Sequence, residues 1–192
     1  MTNPKILAFA GSTRIDSFNK KLIKIAADGA RGAGAEVTLI DLRDFPLPLY
    51  DGDLEQRDGL PSAARKLKGL MLSHQGFLIS SPEYNSSISG VLKNTIDWTS
   101  RQDEGEIPLA CFKNKVAGLM SASPGGLGGL RGLVHVRAIL GNIGVLVIPD
   151  QIVVAKAHEV FNPDGTMKNK DQEEQVTKIG ANVTKLLMKL TT

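Results

Sequence analysis

The sequence predicts a doubly wound α/β domain around a five-stranded parallel sheet, and three observations lead there. Short apolar runs recur along the 192 residues, each leading into a polar or glycine-containing loop. Between them lie stretches with apolar residues every three or four positions. The short runs are apolar throughout instead of alternating, the pattern of strands covered on both faces.

Residues 6–10, stopped by Gly11, read as the first strand. Residues 19–33 follow as a helix, with Leu22, Ile25, Ala26 and Gly29 on one face and lysines opposite. Residues 37–40 are the second strand. Residues 42–60 hold Pro46, Pro48, Gly52 and Gly59 among several acids and are expected to form one long loop. Loops of that length in compact domains are usually functional or mobile. A helix from about Pro61 carries Ala63, Leu67, Leu70 and Met71 and leads to a third strand at 77–80. Val91, Thr95 and Trp98 share one face of the next helix, with Trp98 expected in the core, and residues 116–120 are the fourth strand. A helix burying Leu133, Val136, Leu140 and Ile143 precedes the fifth strand, 144–148, extended by 152–154. Polar residues 161–172 make a loop, and the last helix buries Val176, Ile179, Val183, Leu186, Leu187 and Leu190. No repeat, low-complexity run or composition break divides the chain, so residues 1–192 read as one domain.

Composition narrows the function. Cys111 is the only cysteine, and His74, His135 and His158 stand apart without neighbouring ligands, so neither an intrachain disulfide nor a zinc site is expected. No run approaches the roughly 18 apolar residues of a membrane span, and residues 6–10 are too few for the apolar core of a secretion signal. Lys and Arg number 23 against 20 Asp and Glu, and the net +3 is spread along the chain with few aromatics interleaved. A nucleic-acid binder concentrates such charge on a stripe. We therefore expect a cytoplasmic protein with no nucleic-acid and no membrane partner.

Ligands of open α/β sheets bind beyond the carboxyl ends of the strands, and three loops there have unusual composition. The first, residues 11–19, offers Ser12, Thr13, Arg14, Ser17 and Asn19 at the start of a helix. Unpaired N–H groups at a helix N-terminus attract anions, hydroxyls add donors, and an arginine fork suits phosphate. Helix capping by Asp16 or Ser17 would need only one of these residues. The loop is neither GxxxxGK[ST] nor GxGxxG, so a mononucleotide phosphate fits better than a dinucleotide held in the Rossmann manner. The second loop, residues 80–90, is polar and carries Pro82, Glu83, Tyr84, Asn85 and Ser86. Its backbone N–H groups can bond the polar edge of a flat heterocycle, and Tyr84 adds a flat apolar surface. The alternative is an ordinary βα loop with Ser89 as the helix N-cap. The third loop, residues 121–132, contains Ser121, Gly125, Gly126, Gly128 and Gly129, and lets backbone approach a ligand closely.

Gly11-Ser12-x-Arg14 with Ser17 and Asn19, followed by Pro82-Glu83-Tyr84-Asn85-x-Ser87-x-x-Gly90-x-Leu92-Lys93-Asn94-x-x-Asp97-Trp98, resembles the NADPH-dependent FMN reductase family, which includes chromate and quinone reductases and azoreductase-like proteins. The likeness runs from the first strand through at least residue 132. Ser89 departs from it, since the family usually has proline before the glycine, and affects loop stiffness more than chemistry. The resemblance implies a flavodoxin-like three-layer sandwich that binds FMN and takes hydride from NADPH or NADH. It places the FMN phosphate on Ser12, Arg14, Ser17 and Asn19, and the isoalloxazine against Pro82, Glu83, Tyr84, Asn85 and Ser86, with Ser121, Gly125 and Gly126 on the other flank. Asn94, Asp97 and Trp98 are expected to fix the loop and pack its helix. No catalytic acid–base residue is required, because the chemistry lies at flavin N5.

The resemblance further implies ping-pong reduction of a small acceptor (a quinone, free flavin, chromate, a ferric chelate or an azo compound) and a homodimer or homotetramer. Residues 42–60 and the helix near 90–101 are the expected interface. Arg101 reads either as a contact for an anionic substrate or as a charge favoured at a helix C-terminus. A flavodoxin-like electron carrier without its own NAD(P)H activity is the alternative, although such carriers are usually strongly acidic and lack an arginine in the phosphate loop.

Overall fold

The computed structural model describes residues 3–190. In chain order its elements are β1 (Lys5–Ala10), α1 (Phe18–Gly32), β2 (Glu36–Ile40), α2 (Gly52–Asp58), α3 (Ser62–Leu72), β3 (Gly76–Ser80), β4 (Glu83–Tyr84), β5 (Ser87–Ile88), α4 (Gly90–Thr99), β6 (Val116–Ala122), α5 (Leu130–Asn142), β7 (Leu146–Val154), α6 (Ala157–Val160) and α7 (Lys170–Leu190), with a 3-10 turn at Leu42–Asp44. The predicted five-stranded parallel sheet is present, in the order β2-β1-β3-β6-β7, and β4 and β5 form a separate small hairpin.

Strand side chains alternate between two apolar layers. Ile6, Ala8, Leu78 and Met120 pack under α1 and α7, while Leu7, Phe9, Phe77, Ile79 and Leu119 pack under α3, α4 and α5. The sequence shows no alternation because both faces are buried. On α7, Val176, Ile179, Val183 and Leu187 are buried as the spacing predicts, whereas Leu190 is exposed.

The two apolar runs read for the fifth strand are one strand with an interruption. Ala117 pairs with Val147, but Leu119 pairs with Gln151, so Pro149 and Asp150 bulge out of the ladder. Arg137 of α5 fills the gap: its guanidinium donates to the Ile148 carbonyl at 2.9 Å and to Gln151 Oε1 at 3.0 Å. Carbonyls that the bulge frees from the ladder thus keep a donor.

Residues 42–60 are not one loop. Asp51 caps α2 by accepting from the Asp53 N–H, and Gly59, at φ +70°, ends it. No residue of α2 is buried, so it has no apolar face for periodicity to reveal. Before it, residues 46–50 form a strap lying along α4. Asn94 accepts from the Tyr50 N–H at 2.8 Å and donates to the Pro48 carbonyl at 2.9 Å, and Trp98 Nε1 donates to the same carbonyl. Trp98 is fully buried, but beneath this strap with Leu60 and Ala64, outside the two main layers. Asn94 and Trp98 therefore fix the strap and not the 80–90 loop, while Asp97 pairs with Lys93 on the surface of α4.

Candidate functional site

β1 and β3 are neighbours in the sheet, yet their connections leave over opposite faces, α1 to one side and α4 to the other. This divergence opens the crevice in which open α/β sheets bind ligands. The three loops singled out by composition meet there. The Gly11 N–H donates to the Ser80 carbonyl at 2.9 Å, Ser89 Oγ donates to the Gly11 carbonyl at 2.6 Å, and the Ser81 N–H donates to the Met120 carbonyl at 2.9 Å.

Asn19 joins the parts. Its Oδ1 accepts from Ser80 Oγ (2.8 Å) and from the Ala122 N–H (3.0 Å), and its Nδ2 donates to the Ala122 carbonyl (2.8 Å). The side chain is buried and ties the start of α1 to the ends of β3 and β6. It was expected to hold phosphate directly; in the structure its amide is engaged within the protein.

Three helices, α1, α4 and α5, follow the loops that meet in the crevice, and their N-termini differ. The start of α4 is capped by Ser89, whose Oγ accepts from the Leu92 N–H at 3.2 Å. The start of α5 is capped from outside by Glu83, whose carboxylate accepts from the Gly132 N–H at 3.1 Å. The start of α1 has neither: Ser17 stands at the N-cap position without a side-chain cap bond, and the first turn contains no acid. The Lys20 N–H bonds the Ser17 carbonyl at 3.0 Å, and the Phe18 and Asn19 N–H groups and the partial positive charge stay available. Ser12 and Ser17 are buried beside it, and Arg14 is exposed and forms no ion pair among the described residues. Lys20 and Lys21, one turn in, are neutralised by Asp41 (2.5 Å) and Asp16 (3.1 Å).

Across the crevice Pro82 is buried, Tyr84 is half exposed, and Asn85 and Ser86 form the two-residue turn of the β4–β5 hairpin with φ of +50° and +66°. Positive φ at both positions is the geometry that matches the twist of the flanking strands. The Glu83 side chain turns away from the crevice to Arg131, at 2.8 Å from its Nε. Burial alone would raise the Glu83 pKa, but bonds from the Gly132 N–H and the Arg131 guanidinium outweigh it and hold the carboxyl below its ordinary range.

The third wall is the 123–129 loop, welded to the end of β7 through Ser123 N–H to the Val154 carbonyl (3.0 Å) and Lys156 N–H to the Gly125 carbonyl (3.2 Å). Gly125 and Gly126 are exposed on it. Ser121 Oγ is buried and has no hydrogen-bond partner among the described residues. Such an atom is costly without a bond, and a ligand acceptor or donor at the end of β6 would satisfy it.

Arg101 is not brought to the crevice. It follows the C-terminus of α4, about 15 Å of helix from Gly90. Its Nε donates to both Glu55 carboxylate oxygens at 2.9 Å, and its guanidinium stacks over Tyr50. The structure places it just past the end of α4, paired with Glu55 of α2.

Residues 4–159 match the model of the family described as NADPH-dependent FMN reductase. The chain belongs to that family. It is an NAD(P)H-dependent flavin oxidoreductase that uses FMN. Over 183 residues the reductase is 36% identical to a probable NADPH:quinone oxidoreductase 2 of Oryza sativa subsp. japonica, covering 91% of this chain and 86% of the relative. It is 30% identical over 173 residues to the NAD(P)H-dependent FMN reductase PA1204 of Pseudomonas aeruginosa, covering 90% and 89%. Among solved structures, the flavoenzyme NAD(P)H:(acceptor) oxidoreductase FerB of Paracoccus denitrificans superposes with a TM-score of 0.78 at 25% identity, over 97% of this chain and 98% of that one.

Sequence reasoning missed Arg131 and Gly132. Their part is visible only once Glu83, 48 positions earlier, is seen to reach them.

Proposed function

We propose that this reductase holds the FMN phosphate at the open N-terminus of α1 and the flavin ring between the 82–86 turn and the 121–126 loop. The observation that carries this reading is the contrast among the three helix starts that border the crevice: α4 and α5 are capped by side chains of the protein, and α1 is not. Ser12 and Ser17 donate hydroxyls, Arg14 supplies the countercharge, and Asn19 positions the helix without touching phosphate. Pro82, Tyr84 and the turn backbone at Asn85 and Ser86 line one edge of the ring, and Ser121, Gly125 and Gly126 the other.

When bound, FMN would supply the two-electron hydride chemistry between NAD(P)H and the second substrate. The protein binds and orients the ring, leaves one face open, and offers N–H donors from the turn to the edge where negative charge gathers on reduction. Donor and acceptor take turns over that face. Quinones, free flavin, chromate, ferric chelates and azo compounds are the acceptors proposed. The named activities of the relatives, quinone and FMN reduction, support the first two. A homodimer or homotetramer in the cytoplasm completes the reading, with the neighbouring subunit shielding the open flavin face.

An absorbance spectrum of the purified protein followed by anaerobic titration with NADPH tests it. We expect flavin bands that bleach with one equivalent of NADPH and return on adding a quinone. Colourless protein that stays inactive with NADPH and added FMN would overturn the reading.

A further inference from the structure

We infer that the Glu83–Arg131 pair is a positioning and charge-balancing device for the flavin ring, locking the 84–86 turn to the start of α5. The inference rests on the flavin site proposed above and assigns these two side chains a role distinct from ring contact.

The turn does not hold itself. The hairpin has two residue pairs, Glu83 with Ile88 and Tyr84 with Ser87, and so short a hairpin is not stable alone. Its turn also places Ser86, a residue with no strong preference for the left-handed region, at φ +66°. Such a conformation persists only where the surroundings impose it.

The surroundings are the first turn of α5. Glu83 accepts from Arg131 Nε at 2.8 Å and from the Gly132 N–H at 3.1 Å, with Arg131 Nη2 at 2.5 Å. Ser87 Oγ, on the paired strand, bonds His135 Nδ1 at 2.8 Å. The two surfaces are fitted closely. A Cβ at Gly132 would come within 3.1 Å of the Ser87 carbonyl and 3.3 Å of Glu83 Cβ. Gly129, at φ +91°, leaves room for Ser121 Oγ that any side chain would take.

Capping alone does not call for a charge, since a serine hydroxyl caps α4 at the same edge. The Glu83 side chain is only 7% exposed, and a buried carboxylate is retained where its partners are a cation and a helix N-terminus. Together they leave little net charge next to the place where a reduced ring gathers negative charge. Removing the carboxylate leaves Arg131 and the helix end uncompensated and favours the reduced ring. Removing the guanidinium leaves the carboxylate and disfavours it. A purely structural tie would shift the two variants alike.

The experiment measures FMN and riboflavin affinity by fluorescence quenching, and the midpoint potential of bound FMN by dye equilibration, in wild type, Glu83→Gln, Arg131→Met and the double variant. Glu83→Gln and Arg131→Met should each weaken FMN and riboflavin by a similar factor of about ten, because the turn serves the ring and not the phosphate. The potential should rise in Glu83→Gln, fall in Arg131→Met, and return towards wild type in the double variant. Lys93→Gln, which breaks an exposed pair on α4, should change neither quantity. Unchanged affinities in Glu83→Gln, or potentials that move in the same direction in both single variants, would overturn the inference while flavin binding by wild type keeps the site reading intact. A wild type that quenches neither flavin would overturn both. If a single variant fails to fold, the double variant decides: a potential far from wild type counts against charge balance.

Discussion

Arg14 is the residue on which the phosphate assignment turns. It stands exposed beside an uncapped helix start, whereas Lys24 lies further along the same helix on its outer face. Arg14→Ala should weaken FMN binding by about tenfold or more, the loss of a charge-assisted pair, and leave riboflavin binding unchanged. Lys24→Ala should alter neither, and equal losses in an equilibrium titration would remove the assignment. Cys111 gives a second test at this scale. Burial pushes its thiol up to about 11, far above the ordinary thiol range. The folded protein should therefore resist iodoacetamide at pH 8, and chain unfolded in guanidinium should react at once. Because the unfolded thiol ionises first, its contribution to stability is complete below the ordinary thiol pKa and declines as pH rises from there towards 11. Part of this scale was legible in the sequence: the hydroxyls of Ser12 and Ser17 lie buried beside the start of α1, with Arg14 exposed next to them. The employment of Asn19 was not, because an amide that bonds phosphate and one that bonds a strand 103 residues away read identically in one dimension.

At the scale of elements, periodicity found every strand of the main sheet and each long helix with a buried face, but not the four-residue α6 with its buried Ala157. It failed where an element is short or buries almost nothing. α2 buries no side chain fully, with Leu54 only partly covered, and β4 and β5 are two residues each, so neither leaves a pattern. The strap at 46–50 was also invisible, since its hold on α4 is made by backbone groups meeting Asn94 and Trp98. Asn94→Ala should cost about 1–2 kcal/mol in urea unfolding, for two bonds to a partly buried backbone. Flavin affinity should stay within twofold if the strap only packs. Arg101 shows the same limit from the other side. Its proximity to the motif in sequence becomes the length of a helix in space, and Glu55 is its partner.

For the whole molecule, a five-stranded parallel sheet follows from regular alternation of strand and helix and was legible in the sequence, whereas the order β2-β1-β3-β6-β7 was not. What alternation leaves open is which loops meet, and the answer lies in the β1–β3 divergence. Gel filtration with light scattering should give a dimer or tetramer, and a strictly monomeric mass would remove the shielding role given to a second subunit. The Asn19 junction also bears on when the protein becomes able to bind its cofactor. Its amide needs Ala122, and the hairpin needs Arg131, so a chain leaving the ribosome carries the phosphate loop long before the groups that set it in place. Domains tend to fold as units as synthesis proceeds. FMN capture should thus be late, with nascent chains arrested before residue 132 unable to retain flavin and those extended through β7 and α7 competent. Flavin supply during translation would then act on a nearly finished chain and would not template its early folding.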